Sequence, residues 1–240
     1  MRLGYVGPFG DSNFGDYAML VNNLYDIGEK DVILFTYNKN LFLNISKEYL
    51  QDYCISICEI ISNSFINDAV TSNKYKVEYN HYPDTPLEIL SEICNLNVLI
   101  SFVQKIDKLV VVGGGYFNHL WNAKHRRAKL VSILAPILLA SQFGKKIIFL
   151  GNTYGPFDES SEFFSNIFNY LKNTVIASRD DLYSPANLRK LGYCKKIYNL
   201  PDDLYFLNNR LKNVSVRKEK YIILELFCSI EEIEQNKYEQ

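Results

Sequence analysis

The sequence predicts an α/β protein with a doubly wound, mostly parallel sheet. Short apolar runs alternate with longer amphipathic runs along most of the chain. The run at 109–112 has no polar side to show to water, which is typical of a strand covered on both faces in a parallel sheet. Glycines follow several of these runs, where a strand is expected to turn towards a helix. This alternation is the pattern of repeated β–α units.

The predicted strands and helices follow one another in order. The strands are 2–6, 31–35, 108–112, 146–150, 174–177, 196–199 and 220–227. The helices are 16–27, 41–48, 87–104, 123–143, 160–172 and 184–191. Gly144 and Gly192 each end a helix before the next strand, as glycine often does. Residues 62–86 are polar and rich in tyrosine, and we expect them to form an irregular insertion over the sheet.

The sequence divides into one α/β domain, residues 1–212, and a short remainder, residues 213–240. The remainder begins with basic residues and an apolar strand at 220–227, after which only a charged tail follows. One strand and a charged tail cannot bury a core of their own. We therefore expect 213–240 to be a linker and the incomplete start of a second α/β domain. An exposed apolar strand there favours association.

Composition and charge exclude several classes of protein. The 240 residues are 48% hydrophobic, which is enough for a full core. The formal net charge is −1, so neither nucleic acid nor an anionic membrane is an expected partner. We find no signal-peptide pattern and no apolar stretch of about 20 residues for a membrane helix. The five cysteines form no CxxC pair, and Cys54 and Cys58 are interpreted as buried positions one helical turn apart. We expect a cytoplasmic protein with reduced thiols.

A glycine-rich loop joins the first predicted strand to the first predicted helix. Gly7, Gly10 and Gly15 lie in this loop, and the helix begins near Asp16. Small residues let the backbone approach a ligand, and a helix N-terminus favours an anion. The spacing is neither GxGxxG nor that of a P-loop, so an ordinary nucleotide fingerprint is absent. The alternative is that Asp16 only caps its helix and the glycines only turn the chain.

Three consecutive glycines, at 113–115, follow the buried strand at 108–112. Such residues can adopt positive φ and leave their amides unshielded, so this turn can approach a ligand or let the next helix pack tightly. His119 follows in an aromatic segment and is a candidate titratable group. A single histidine is more often a structural residue than a catalytic one, and both interpretations stay open.

Charged and rigid residues follow the later predicted strands. Gly155 precedes a proline, Arg179 precedes Asp180 and Asp181, and Asp202 follows another proline. The carboxyl ends of parallel strands meet at one edge of a sheet, so we expect these residues to line a cleft. Arginine suits planar carboxylates and phosphates because its fork can bond two oxygens, and we expect the neighbouring aspartates to fix this fork. The alternative is a structural ion pair of Arg179 with one of these aspartates or with Asp202.

Five short motifs, taken in order, resemble one family, the polysaccharide pyruvyl transferases. They are a G..G..N.GD loop within 4–16, a D..v..GGG strand end at 107–115, a G...GP turn at 151–156, an SRD...S...L...G segment at 178–192 and a PD pair at 201–202. No single motif is specific. Five ordered matches between residues 4 and 202 are specific in combination.

The resemblance implies a glycosyltransferase-B-like architecture, with residues 1–212 as the first of two Rossmann-like halves. It implies phosphoenolpyruvate as the donor, a sugar or lipid-linked saccharide of a cell-surface polysaccharide as the acceptor, and no cofactor. The implied catalytic residues are Asp16, His119 and Asp202. The implied substrate-binding residues are Asn13, Gly15, Gly113, Gly114, Gly115, Gly155, Arg179 and Asp180, with Arg179 on the donor's phosphate or carboxylate. No step needs a metal, and the sequence has no HExxH or CxxC pair.

The sequence departs from the family in one respect. Members typically carry an arginine-x-histidine motif in their second half, whereas the three histidines here, at 81, 119 and 125, all precede Asp202. We therefore expect either a fragment or split form of such an enzyme, or a non-catalytic binding half. The expected protein partner is a second copy of the chain, as a homo-oligomer, or a separate partner that carries the missing second domain. A nucleotide-sugar transferase of the same fold is the remaining alternative, because fold alone does not decide function.

Overall fold

A parallel sheet lies at the centre of the fold. The computed structural model describes residues 1–10, 13–40, 43, 49–63 and 83–205. The strands among them are β1 (Leu3–Val6), β2 (Asp31–Thr36), β3 (Cys54–Glu59), β4 (Lys108–Val111), β5 (Gly114–Phe117), β6 (Lys146–Tyr154), β7 (Thr174–Ser178) and β8 (Ile197–Asn199). Their order is β3-β2-β1-β4-β6-β7-β8, and β5 pairs with β6 beside this path. All of these pairs are parallel, which confirms the predicted sheet.

Helices cover both faces of this sheet. They are α1 (Phe14–Ile27), α2 (Pro86–Ser91), α3 (Leu96–Lys105), α4 (His119–Asn122), α5 (Lys124–Gln142), α6 (Ser161–Tyr170) and α7 (Tyr183–Lys190). The strand order starts at β1, runs outward to β3, and then returns past β1 to continue with β4 on the other side. This reversal defines a doubly wound, Rossmann-like fold.

Alternate residues of the inner strands enter two separate apolar cores. In β2, Val32 and Leu34 pack in the core that contains residues of α1. Ile33 and Phe35 of the same strand pack in the core that contains residues of α5 and α6. Successive side chains of a strand point to opposite faces, so a strand that is apolar throughout must be covered on both sides.

Strands β3 and β5 differ from the predicted elements. Cys54 and Cys58 lie on β3, and the interpretation of a helix was wrong because residues four apart share a face of a strand as well as of a helix. Cys54 is exposed and only Cys58 is buried, so the expected pair of buried thiols is also wrong. β5 contains Gly114 and Gly115, so the glycine triplet leads into a short strand before α4 begins.

The single helix predicted at 87–104 is two helices, α2 and α3. Between them, the Asn95 side chain accepts a hydrogen bond from Ile61 N (3.0 Å) and donates one to the Glu59 carbonyl (2.7 Å). The Cys94 N–H donates to the Ile61 carbonyl at 2.8 Å. These bonds tie the backbone between the helices to the chain that follows β3. That pairing replaces the bonds that a continuous helix would make there.

Several sequence predictions fall outside the described residues. They include most of the helix at 41–48, residues 64–82 of the insertion and the strand at 220–227. The linker and incomplete second domain at 213–240, and the boundary at 212, likewise stay predictions.

Cys58 should react with an alkylating reagent far more slowly than Cys54 on the same strand. Burial raises the pKa of the Cys58 thiol to about 12, and the thiolate is the reactive form. Cys54 is exposed and serves as the internal control. Mass spectrometry after a short pulse of iodoacetamide at neutral pH should find Cys54 modified and Cys58 modified only after denaturation. Equal modification of both in the folded protein would contradict the burial of Cys58.

Candidate active site

Several of the predicted site residues lie at one edge of the sheet. Strands β4, β6, β7 and β8 are parallel, so all of them end at this edge. Gly113 follows β4, Arg179 follows β7, and Asp202 lies after β8. The strand order reverses between β1 and β4, and open α/β sheets bind ligands beyond the carboxyl ends of the strands at such a reversal.

The Arg179 guanidinium is held from two sides. Its Nε donates to Thr153 Oγ1 at 2.6 Å, and its Nη1 donates to Asp202 Oδ2 at 2.7 Å. A Cβ placed on Gly115 would lie 3.5 Å from Nη2, so the remaining nitrogen lies against the glycine triplet. The side chain is 33% exposed. Of its five N–H groups, two donate to described residues, and the other three make no hydrogen bond to the described part of the chain.

The aspartates next to Arg179 in the sequence do not hold its side chain. The Asp180 carboxylate accepts hydrogen bonds from the backbone N–H (2.8 Å) and the hydroxyl of Ser184, at the start of α7. Burial raises the pKa of Asp180, but the hydrogen bonds from Ser184 and its neighbours outweigh burial and lower the pKa overall. The expectation that Asp180 and Asp181 fix the fork was wrong. Asp202 forms the ion pair instead, which was the alternative considered from the sequence.

Asp203 supplies a second carboxylate at the same edge of the sheet. Its Oδ2 accepts hydrogen bonds from Gly113 N (2.8 Å) and Asn23 Nδ2 (2.6 Å), and its Oδ1 accepts one from Gly151 N (3.3 Å). Its backbone carbonyl accepts a further bond from the Asn22 side chain. Burial raises the pKa of Asp203, and the three hydrogen bonds to its carboxylate oppose that rise. Asp203 thereby connects the end of β4, β6 and α1.

Glycine is required at positions 113 and 151 because Asp203 and Pro201 lie so close. A Cβ on Gly113 would lie 2.7 Å from Asp203 Oδ2 and 2.8 Å from the Gly151 carbonyl oxygen. A Cβ on Gly151 would lie 2.6 Å from the Pro201 carbonyl oxygen. The first glycine of the triplet therefore makes room for a carboxylate of the same chain, and its N–H donates to that carboxylate.

The other glycines predicted to bind substrate differ in their access to a ligand. Gly114 and Gly155 have φ angles of 152° and 81°, in the region that favours glycine. Gly114 is buried, and the Gly155 N–H donates to the Phe117 carbonyl at 2.7 Å. Gly115 is exposed and lies beside Arg179. Gly115 is therefore the member of the triplet that a ligand can reach.

His119 is oriented by the turn that follows β6. Its Nδ1 lies 3.0 Å from the Pro156 carbonyl oxygen and 3.1 Å from Asp158 Oδ2. Both neighbours are acceptors, so we infer that Nδ1 carries the hydrogen and that Nε2 is unprotonated in the neutral ring. None of the described contacts joins His119 to Arg179.

The residues singled out in the N-terminal loop lie at the start of α1. The Asn13 side chain accepts from Gly15 N at 3.0 Å, so Asn13 caps α1 and the idea that Asp16 caps it was wrong. Asp16 lies in the first turn of the helix. Burial is the main cause that raises the pKa of Tyr116, and the charges of Asp203 and Asp16 raise it further. Asp16 and Asp203 are therefore both close enough to Tyr116 for their charges to act on its hydroxyl.

The family model for polysaccharide pyruvyl transferases matches residues 13–239. The chain belongs to this family. The resemblance drawn from the five motifs is thus confirmed. The match begins at Asn13, includes Arg179 and Asp202, and continues through the residues after 202, where the motifs end. No curated protein and no solved structure matches the chain.

Four residues of the candidate site in this pyruvyl transferase family member were given no role by the sequence analysis. They are Asn22, Asn23, Thr153 and Asp203. Asn22 and Asn23 are 2% and 6% exposed, and adjacent polar residues on the buried side of a predicted helix indicate buried partners. Thr153 and Asp203 belong to strand ends that were expected to line a cleft, but nothing in the sequence shows which way their side chains point.

Neither a metal cluster nor a membrane-spanning helix occurs in the described part of this pyruvyl transferase family member. No three His, Cys, Asp or Glu side chains in that part are grouped so that they could hold a metal ion. Its longest helices are too short or too polar to cross a bilayer.

Proposed function

We propose that the protein transfers a pyruvyl group from phosphoenolpyruvate to a sugar of a cell-surface polysaccharide and forms a cyclic ketal. Membership of the polysaccharide pyruvyl transferase family supports the class of reaction and of acceptor. The observation that carries the choice of donor is the Arg179 guanidinium. It lies at the carboxyl edge of the sheet, fixed by Thr153 and Asp202, with three N–H groups left for an anion.

Phosphoenolpyruvate carries a planar carboxylate and a phosphate, and both suit an arginine fork. Charge-assisted bonds from a guanidinium to two oxygens fix orientation as well as charge. Arg179 would hold one of these groups. The exposed Gly115 beside it lets the donor lie close to the backbone. Asp202 keeps the guanidinium in place but also adds negative charge, so the donor must bind on the Nη2 side, away from Asp202.

The reaction requires two proton transfers and the loss of phosphate. The CH₂ carbon of the enol takes a proton, a sugar hydroxyl adds to the neighbouring carbon, and the C–O bond to phosphate breaks. A second hydroxyl then adds to the same carbon and closes the ketal. The two sugar hydroxyls lose one proton each. One of these protons accounts for the proton added to the CH₂ carbon, and the other leaves on the phosphate. Such a site needs an anion clamp and acid–base groups.

His119, Asp16 and Asp202 are the proposed acid–base residues. With Nδ1 of His119 donating to Pro156 and Asp158, its Nε2 could accept a hydroxyl proton or, when the ring is charged, donate one. Asp16 lies in the first turn of α1, and its charge acts on Tyr116, as the charge of Asp203 does. Asp202 contacts the arginine directly, so its role is tied to the donor.

The test is turnover of phosphoenolpyruvate in the presence of an oligosaccharide panel. We expect phosphate release that depends on one class of acceptor, with an equal amount of ketal product detected by its methyl resonance. Tighter binding of a nucleotide sugar than of phosphoenolpyruvate would favour the alternative transferase. Binding of phosphoenolpyruvate without any turnover would favour a non-catalytic binding half. Absence of binding to either compound contradicts both transferase assignments.

A further inference from the structure

Two adjacent carboxylates after β8 face in different directions. Asp202 faces solvent and Arg179, with its side chain 40% exposed. Asp203 faces the sheet and accepts hydrogen bonds from Gly113, Gly151 and Asn23. One residue of the pair is therefore available to the site, while the next fastens the same stretch of backbone to the fold.

We propose that Asp203 is a positioning residue for the Arg179 site. Its carboxylate fastens residues 200–205 to β4, β6 and α1, and so sets the place of the Asp202 carboxylate, which in turn orients the guanidinium. The link to a pyruvyl donor rests on the function proposed above. The link from Asp203 to the orientation of Arg179 does not.

The hydrogen bonds around this segment show why Asp203 matters to it. Leu204 N donates to Asp202 Oδ1 at 3.0 Å, and Tyr205 N donates to the Asp202 carbonyl at 2.8 Å. Both bonds are local and shape the turn without attaching it to the sheet. Leu200 N donates to the Ser178 carbonyl at 2.9 Å and attaches the start of the segment to β7. Beyond that point, the Asp203 carboxylate supplies attachments to three different elements.

The groups around the Asp203 carboxylate favour a side chain that accepts hydrogen bonds and donates none. Gly113 N, Gly151 N and Asn23 Nδ2 are all donors. An asparagine at this position has almost the same shape, but one of its two terminal groups is itself a donor. Asp203→Asn would therefore place a donor against a donor in a site that leaves little room to rearrange. This substitution removes part of the attachment without creating a cavity.

The experiment follows the Nε–H resonances of arginine in the full-length protein by nitrogen-15 NMR. The Arg179 signal is assigned by its loss in Arg179→Lys, and the Arg2 signal is the internal control. Arg2 forms a similar pair with Asp31, through Nε at 2.9 Å, at the opposite edge of the same sheet. In Asp203→Asn we expect the Arg179 Nε–H to exchange with water about tenfold faster, since its bond to Thr153 is no longer held in place. The Arg2 signal should stay unchanged.

Titration of the same samples with phosphoenolpyruvate adds a second readout. Asp203→Asn should weaken binding by about tenfold, which is the loss expected for a hydrogen bond to a charged group. If the unmutated protein does not bind phosphoenolpyruvate but the Arg179 resonance responds to Asp203→Asn, the proposed donor is wrong and the positioning role stands. An unchanged Arg179 resonance in Asp203→Asn overturns the positioning role, as does an equal change at Arg2, which would indicate general loosening.

A second variant covers the case in which Asp203→Asn fails to fold. Asn23→Ala removes the donor from α1 but leaves the bonds from Gly113 and Gly151 to Asp203. We expect the same change at Arg179 with a smaller amplitude, about threefold in exchange rate, because one of the three hydrogen bonds to the Asp203 carboxylate is lost. An Arg179 resonance in Asn23→Ala that matches the unmutated protein would overturn the proposal by itself.

Discussion

Arg179→Lys should weaken phosphoenolpyruvate binding by about 10- to 100-fold, the range for losing one charge-assisted hydrogen bond of about 1.5–3 kcal/mol. Lysine keeps the charge but cannot donate to Thr153 and Asp202 and still present a planar fork to the donor. The melting temperature should stay nearly unchanged, because the pair with Asp202 is 33% and 40% exposed and such pairs contribute little stability. Calorimetric titration and thermal unfolding measure the two quantities.

The matched control for this substitution is Arg2→Lys. Arg2 and Asp31 form an ion pair of similar exposure, 35% and 45%, at the amino edge of the sheet. Arg2→Lys should leave phosphoenolpyruvate binding unchanged. Any change in affinity that it does cause measures the general effect of replacing an arginine and is subtracted from the effect of Arg179→Lys. Unaltered binding in Arg179→Lys would place Arg179 in the scaffold and not in the site. A large loss of stability with binding intact in the folded fraction would lead to the same conclusion.

The buried strands were the most predictable part of the fold. β1, β2, β4, β6 and β7 contain apolar runs bounded by glycine or charge, and their place in the sequence indicates a parallel sheet. β3 was missed because its cysteines, four residues apart, fit a helix as well as a strand. β5 was missed because Gly114 and Gly115 are poor strand formers, and only pairing with β6 makes them part of the sheet.

The site was predictable in its location but not in its contacts. Parallel strand order alone brings Arg179, Asp202 and the glycine triplet to one edge. The sequence could not distinguish Asp202 from Asp203, because two adjacent carboxylates have the same chemistry and only packing decides which faces inward. The sequence also predicted that Asp180 contacts Arg179, its neighbour in the chain. The short Asp180 side chain instead accepts a hydrogen bond from the backbone at the start of α7.

Gly113→Ala should lower the free energy of unfolding by about 2–4 kcal/mol. The new Cβ would lie 2.7 Å from Asp203 Oδ2 and 2.8 Å from the Gly151 carbonyl oxygen, so the carboxylate and the backbone of β6 must move apart. Displacing Asp203 leaves buried donors without their acceptor at about 1–3 kcal/mol each, and crowding adds about 1–3 kcal/mol, part of which relaxation recovers. Urea unfolding followed by circular dichroism measures the change.

Gly115→Ala, in the same triplet, is the control for stability. Its Cβ would lie 3.5 Å from Arg179 Nη2, an ordinary contact distance, and Gly115 does not have a φ angle in the left-handed region. We expect Gly115→Ala to change the free energy of unfolding by less than about 1 kcal/mol, partly because alanine restricts the unfolded chain. The difference in the free energy of unfolding between the two variants therefore measures the effect of the close contact between Asp203 and Gly113, at the end of β4. If Gly113→Ala proved as stable as Gly115→Ala, Asp203 could not occupy the space beside Gly113, and its attachment of residues 200–205 to the sheet would be wrong as well.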